Sequence, residues 1–419
     1  MAVNVTDVYQ IVNEMVVAMY GGNTNLKAVD TTTFVSVGET MLRNGYENTL
    51  NALSQVIGRT IIAARPYRGK YQLINRFEQE FGAIQRKISF FYDGNEASQD
   101  WNTDINPENL KDGNSIDHYV IRKRYPLEIN FIGLKVLQKH YTRFRKQIKI
   151  AFRSEAEFDA FFRGLLVEVY NELELNREAE SKLLVLNRLV SNYYQGKNGN
   201  ASMAVNLTAG YNTTYGTNYT SQQLRTTYAK EFLAYVVETI KLSSLRMRRF
   251  TSNYHVTPAK TNDAGDPLVL LRHTPQSKQR LFLYAPFLIG SEARVLPEVF
   301  NDKYLKIENY EAVEYWQDVN HPESVSGTGM TLDLNTGEAM TTGAQEIPYV
   351  LGLLFDTDAL AINFRMEETL TTPINAAGDY YNTYYHWARQ YNDDVTENSI
   401  LFYMEDAPAE RAASKERKS

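Results

Sequence analysis

Between residues 154 and 195, apolar side chains recur at α-helical spacing for roughly eleven turns, and no other stretch limits the folding of this chain as much. Phe158, Phe161, Phe162, Leu165, Leu166, Val169, Tyr170 and Leu173 fall at i, i+3, i+4 and i+7 positions, and Leu183, Leu186, Leu189, Val190 and Tyr193 resume the pattern. Ser154 with Glu157 three residues on is a capping box. Gly196 stands where a helix would end. Taken as continuous, residues 155–194 predict a rod of roughly 60 Å. Its first part is acidic, with Glu155, Glu157, Asp159, Glu168, Glu172, Glu174, Glu178 and Glu180 against Arg163 and Arg177. A helix this long needs cover along its whole length, so it predicts a brace spanning an entire molecule.

The chain ahead of this helix has two characters. Residues 1–57 read as short helices and loops. Val8, Ile11, Val12 and Met15 are helically spaced, Gly21, Gly22 and Asn23 break the pattern, and a second helical piece over 38–57 carries Leu42, Tyr46, Leu50, Leu53 and Ile57. Residues 58–150 turn strand-like at Thr60 to Ala64, Ile84 to Tyr92, Tyr119 to Tyr125 and Val136 to Ile150, with an Asn-, Asp-, Gly- and Ser-rich loop from Gly94 to Asp117. From Ile121 to Arg153 there are ten Lys or Arg and one acid, Glu128. A core strand does not carry that charge. An extended two-stranded arm lying on another surface does, and it orders only against a neighbour.

After the helix, residues 196–220 read as an Asn-, Gly- and Thr-rich connection suited to a hinge, and Ser221 opens a helix running to about Arg249. Strands and helices then alternate. Leu281 to Ala285 is a buried strand stopped by Pro286, residues 291–300 form a short helix interrupted at Pro297, and Tyr349 to Phe355 is a second apolar strand. Ala361 to Glu367 is a short extended piece, Tyr380 to Arg389 a Tyr- and Trp-dense one, and Asn398 to Met404 the last strand. Residues 322–347 read as an exposed hairpin turning at Asn335, Thr336 and Gly337. The tail from Pro408 is polar and reads as disordered.

Composition excludes several function classes. The 419 residues contain no cysteine, which removes disulfides, thiolate metal sites and cysteine nucleophiles. Forty-four basic against 50 acidic residues give a net charge of −6, so the chain as a whole is not a polycationic nucleic-acid binder. The N-terminus lacks a basic region ahead of its apolar stretch, which Asn13 and Glu14 interrupt, so it does not read as a signal peptide. No apolar run reaches the roughly 18 residues of a membrane span. These features predict a soluble protein made in the cytoplasm. The 29 tyrosines suit broad, partly wet contact surfaces, because the ring is apolar and its tip polar.

No catalytic signature is complete. Gly69-Lys70 and Gly196-Lys197 lack the rest of a phosphate-binding loop, and there is neither a nucleophile elbow nor a zinc-protease helix. The six histidines are scattered without metal-ligand spacing. Asp356 and Asp358 read as a strand-ending turn before a cation site, and Asp393 with Asp394 as a polar turn. The cluster Tyr380, Tyr381, Tyr384, Tyr385 and Trp387 reads as a packed sheet face or subunit contact before a base-stacking platform. No catalytic, cofactor or metal residues are assigned.

The order of parts resembles the major capsid proteins of tailed bacteriophages, with their Hong Kong 97-like α+β fold. Two segments carry the resemblance most closely: LQKHYTRFRKQIKIAFRSEAEF, which leads into the long helix, and LTTPINAAGDYYNTYYHWARQYNDDVTENSILFY, which is similar to the closing block in capsid proteins of small short-tailed phages. On this resemblance, residues 1–57 are an N-terminal arm and 58–150 an extended loop (E-loop) with its tip near 93–117. Residues 151–220 are the spine helix and the first part of a peripheral domain, and 221–358 an axial domain. Residues 359–406 hold the return strands of both, and 407–419 a polar tail. The resemblance implies icosahedral self-assembly through hexamers and pentamers, a place in the virion capsid, and no enzymatic activity. Implied partners are a separate scaffolding protein, a portal protein, a decoration protein and packaged double-stranded DNA on the inner face, with no membrane.

The residue pattern adds a charge expectation. Arg122, Lys123, Arg124, Arg143, Arg145 and Lys146 are expected to face acids on a neighbouring copy, with Glu168, Glu172 and Glu174 of the spine as their partners. Two rival functions stand beside the shell: a nucleic-acid binder using the basic 121–153 strand, and a metal-dependent hydrolase built on Asp356, Asp358 and scattered histidines.

Overall fold

A computed structural model of the chain describes residues 5–21, 26–43, 48, 52, 69–78, 84–93, 124–133, 135–144, 155–292 and 310–407. The expected strand at Thr60 to Ala64, the Gly94 to Asp117 loop, the Pro297 helix region and the tail lie outside them.

The N-terminal segment folds as α1 (Val5–Tyr20) and α2 (Thr31–Arg43). Val12, Met15 and Val16 of α1 and Phe34, Val37 and Met41 of α2 are buried, as the spacing in α1 predicts. Asn13 joins the connection by both donating to and accepting from the Ala28 backbone, at 3.0 and 2.7 Å. The second helix starts earlier than its apolar pattern suggests, because Asp30 caps it by accepting from Thr33 N at 2.7 Å.

The spine, α3 (Glu155–Asn198), is one uninterrupted helix of 44 residues, about 66 Å long. It does not stop at Gly196. That glycine lies against β5 (Ala204–Asn206), where a Cβ would come within 2.3 Å of Ala204 Cβ. The missing side chain serves a close approach and not a helix end. The expected hinge over 196–220 is folded: after β5, Asn206 caps α4 (Leu207–Tyr215) by accepting from Thr208 N and Ala209 N, and Gly216 in the left-handed region closes it. The expected single helix from Ser221 is two, α5 (Ser221–Thr226) and α6 (Ala229–Met247); Thr220 and Gln223 form a capping box on the first.

Two sheets flank the spine. One has the strand order β5, β13 (Ser399–Tyr403), β10 (Val350–Asp356), β6 (Gln279–Tyr284) and β7 (Tyr310–Val313). Every residue of β10 and β13 is buried, which explains their continuous apolar sequences. Pro286 sits in the first turn of α7 (Ala285–Glu292), where it needs no N–H partner, so it starts a helix as well as ending β6. Spine residues Leu184, Val185, Leu189, Val190 and Tyr193 share one core with these strands.

The second sheet runs β1 (Asn75–Glu78), β11 (Leu360–Thr371), β12 (Tyr380–Asp393) and β4 (Lys135–Phe144). Here the arm expectation is corrected for residues 136–144: β4 pairs along its whole length with β12, from Lys135 opposite Arg389 to Phe144 opposite Tyr380. Two hairpins complete the described fold, β2 (Ile84–Phe90) with β3 (Pro126–Ile132), and β8 (Val325–Leu332) with β9 (Ala339–Ile347). The second is the hairpin expected over 322–347. It turns through Gly337 at positive φ, and its inner side packs on the spine, with Gly329 against Val190.

Candidate functional site

The basic strand β4 turns Leu137, Lys139, Tyr141 and Arg143 toward the spine by strand alternation. The Lys139 ammonium and the Tyr141 hydroxyl both reach Glu172. Arg143 is 2% exposed and donates to the Tyr385 hydroxyl at 3.1 Å. Glu174 is equally buried and accepts from Gly69 N at 3.1 Å and from the Gln72 side chain at 3.2 Å. The expected complementarity between basic strand and acidic spine therefore exists, but within one chain. Arg143 and Glu174, expected to face a neighbouring copy, are buried inside the chain, and Glu172 meets Lys139 and Tyr141 of the same chain. Only Lys139 and Glu172 form an ion pair across this face; Arg143 and Glu174 are held by neutral donors and acceptors, with Arg177 3.8 Å from Glu174 on the spine itself. Arg124 is exposed. Arg122, Lys123, Arg145, Lys146 and the Glu168 side chain lie outside the described residues.

The tyrosine cluster resolves as a packed face. Tyr385 and Trp387 of β12 are buried against Leu137, Tyr141 and Leu173. On the opposite face His140 stacks on Tyr384 at 5.1 Å.

The β2–β3 hairpin has two unlike faces. Its inner face is tied to the body by polar groups. Lys87 reaches both Asp394 and Glu397, and Arg272 bonds Ser89 Oγ at 2.7 Å while pairing with Glu397 at 3.3 Å. Burial works against the Asp394 carboxylate, yet Lys87 and bonds from Thr396 outweigh it and hold its pKa below the ordinary range. Asn392 bonds Gln85, and Gln390 donates to the Phe131 carbonyl. At the root, Phe91 packs with Leu268 and Leu270. The outer face is open and mixed: Ile88, Phe90 and Ile132 are 50%, 60% and 73% exposed, beside the exposed Arg86–Glu128 pair at 3.7 Å.

Local sequence gives no signal for Lys87, Arg272, Asp394 and Glu397, which meet only where the hairpin packs against the turn after β12. The same holds for the segment entering β1. Tyr71 has a φ of 61°, rare for a residue with a side chain, and is held by Glu311, which accepts from Tyr71 N at 2.6 Å and Gln72 N at 2.8 Å.

The acidic turn has the structural role expected of it. Asp356 accepts from Asp358 N at 2.9 Å, and Asp358 pairs with Lys278 at 2.7 Å. Among the described residues no group of three or more His, Asp or Glu is arranged to hold a metal ion. No helix among them is long and apolar enough to cross a membrane.

A long spine braced between two sheets, with a separate β2–β3 hairpin, is the arrangement of the Hong Kong 97-like fold. The chain is similar to one in the capsid structure of Staphylococcus phage Andhra, with 11% identity, 81% of this chain and 85% of that chain covered, and a TM-score of 0.50. It is also similar to a chain in the structure of the head fiber and inner core protein gp22 of native bacteriophage P68, with 9% identity, coverage of 82% and 86%, and a TM-score of 0.48. No curated protein matches. The family description "Phi29-like phage major capsid protein" matches residues 12–403. The chain belongs to that family: it is a shell-forming structural protein of the phage virion.

Proposed function

We propose that this chain builds the head shell of a tailed phage as hexamers and pentamers around double-stranded DNA, and that assembly is its whole activity, with no chemistry of its own. The family match over residues 12–403 is the observation that carries this. On this proposal the protein is made in the host cytoplasm and assembles with a separate scaffolding protein and a portal protein, and a decoration protein is a further candidate partner. The N-terminal arm takes residues 1–57, and the β2–β3 hairpin is the described part of the extended loop. The spine and the β4–β12 sheet form the peripheral domain, and the sheet around β10 the axial domain. The outer face of the hairpin contacts neighbouring copies, as do Arg122, Lys123, Arg124, Arg145 and Lys146, with Glu168 of the spine as an acidic partner.

Co-expression with the phage's scaffolding protein, followed by electron microscopy, tests this. Uniform hollow icosahedral particles are expected. A chain that stays monomeric with its scaffold present overturns it.

A further inference from the structure

The helix α6 buries Phe232, Val236, Ile240 and Met247 against the core, while its other face is left uncovered by the described residues. On that face Leu242 and Leu245 are 40% and 56% exposed, and Phe250 just beyond the helix is 68% exposed. Leu242, Leu245 and Arg246 follow i, i+3, i+4 spacing, which puts them in one stripe, and Arg248 and Arg249 continue from its end in the turn after Met247. Arg246, Arg248 and Arg249 are all exposed, and no carboxylate among the described residues pairs with them. The Phe250 ring stands 4.5 Å from the exposed His273 ring, fixing the end of the stripe. Beside it runs an open groove of about 450 Å³ whose lining includes Val205, Tyr235, Leu242, Arg246 and Tyr254 together with one carboxylate, Glu238.

Three large apolar side chains beside three guanidinium groups that no described carboxylate pairs, on a net-negative chain, ask for a partner carrying both apolar anchors and acids. We propose that this face docks an acidic amphipathic helix of a separate protein. Its apolar side would rest on Leu242, Leu245 and Phe250, and its Glu and Asp side chains on Arg246, Arg248 and Arg249. A DNA backbone would satisfy the arginines but leave the apolar groups facing phosphates. This rests on the shell-subunit proposal, in which a scaffolding protein is a separate partner; the chemistry and place of contact are what is added.

The test measures fluorescence anisotropy of a labelled synthetic helix, with Leu and Glu at heptad spacing, on the full chain. The peptide is expected to bind, more weakly as salt is raised. A scrambled peptide of the same composition should bind about tenfold more weakly, equivalent to about 1.4 kcal/mol. Arg246→Glu with Arg249→Glu should abolish binding, and Leu245→Gln should weaken it about tenfold, while circular dichroism stays unchanged and the distant reversal Arg86→Glu has no effect. Equal binding of the scrambled peptide, or binding indifferent to these variants, overturns the proposal. So does displacement of the peptide by a DNA duplex that itself needs the same arginines, which would make this a phosphate site. Variants that bind the peptide normally but no longer form particles would make the face a contact between copies. Particle formation by the unaltered chain is scored separately by microscopy, so failure of the shell proposal is read independently of peptide binding.

Discussion

Gly196 in the last turns of the spine faces Ala204 of β5 so closely that a Cβ on the glycine would lie 2.3 Å from that of the alanine and 3.2 Å from its backbone. Both neighbours belong to regular elements, so neither can swing aside. Helix propensity favours alanine over glycine by about 1 kcal/mol. Gly196→Ala is nonetheless expected to destabilise the subunit, by about 1–3 kcal/mol, because overpacking outweighs propensity. Urea denaturation checks the sign; a stabilised variant would show that the spine and β5 are less tightly joined.

Arg188 is fully buried and pairs with Asp393 at the end of β12, while its Nη2 donates to the Ala359 carbonyl at 3.0 Å. Burial pushes the Asp393 carboxyl up despite Arg188 and Asn187 beside it. Arg188→Met is expected to cost about 3–5 kcal/mol by stranding the acid, and adding Asp393→Leu should recover part of that. The comparison of single and double variants in urea decides it. A double variant no better than the single would mean that the pair is not the dominant interaction.

His255 is buried, with Nε2 2.9 Å from the Leu270 carbonyl and Nδ1 2.9 Å from the Asn398 side chain. Burial holds its pKa below the ordinary histidine range, despite bonds to both partners that favour the charged form. Below about pH 6.5 the unfolded chain therefore binds more protons at this site than the folded one. The stability His255 contributes is complete above that pH and is lost as pH falls through its folded-state value. The local slope for one proton is at most about 1.4 kcal/mol per unit. His255→Gln should flatten the stability profile below pH 6.5, measured against the unaltered chain so that other acids cancel. Parallel profiles would count against a neutral buried imidazole.

Arg143 and Lys139 share a face of β4 but differ in exposure. Arg143→Glu is expected to destabilise the isolated subunit strongly, because it buries an unpaired acid under the spine. Lys139→Glu should cost no more than about 1 kcal/mol, since its pair with Glu172 is partly solvated. Thermal unfolding of the two variants tests the ranking. Equal stability would return Arg143 to the surface.

The sequence by itself determined the spine, the two apolar central strands, the 322–347 hairpin and the shell-protein family. Each of these is written in local periodicity or in contiguous residues, and the 3.6-residue and two-residue repeats survive without knowledge of neighbours. Its charge asymmetry between β4 and the spine was equally legible. Whether that charge lay within one chain or between two was not, because periodicity assigns a residue to a face and says nothing of what covers the face. Only the tertiary structure placed β4 beside β12, closed Arg143 and Glu174 inside, folded residues 201–215 into β5 and α4, and brought Lys87 to Asp394 and Glu397 some three hundred residues away. Strand register fixes the β4–β12 pairs, and the packing of the hairpin on the body fixes the Lys87 contacts; both depend on the whole packed molecule and leave no mark in local sequence.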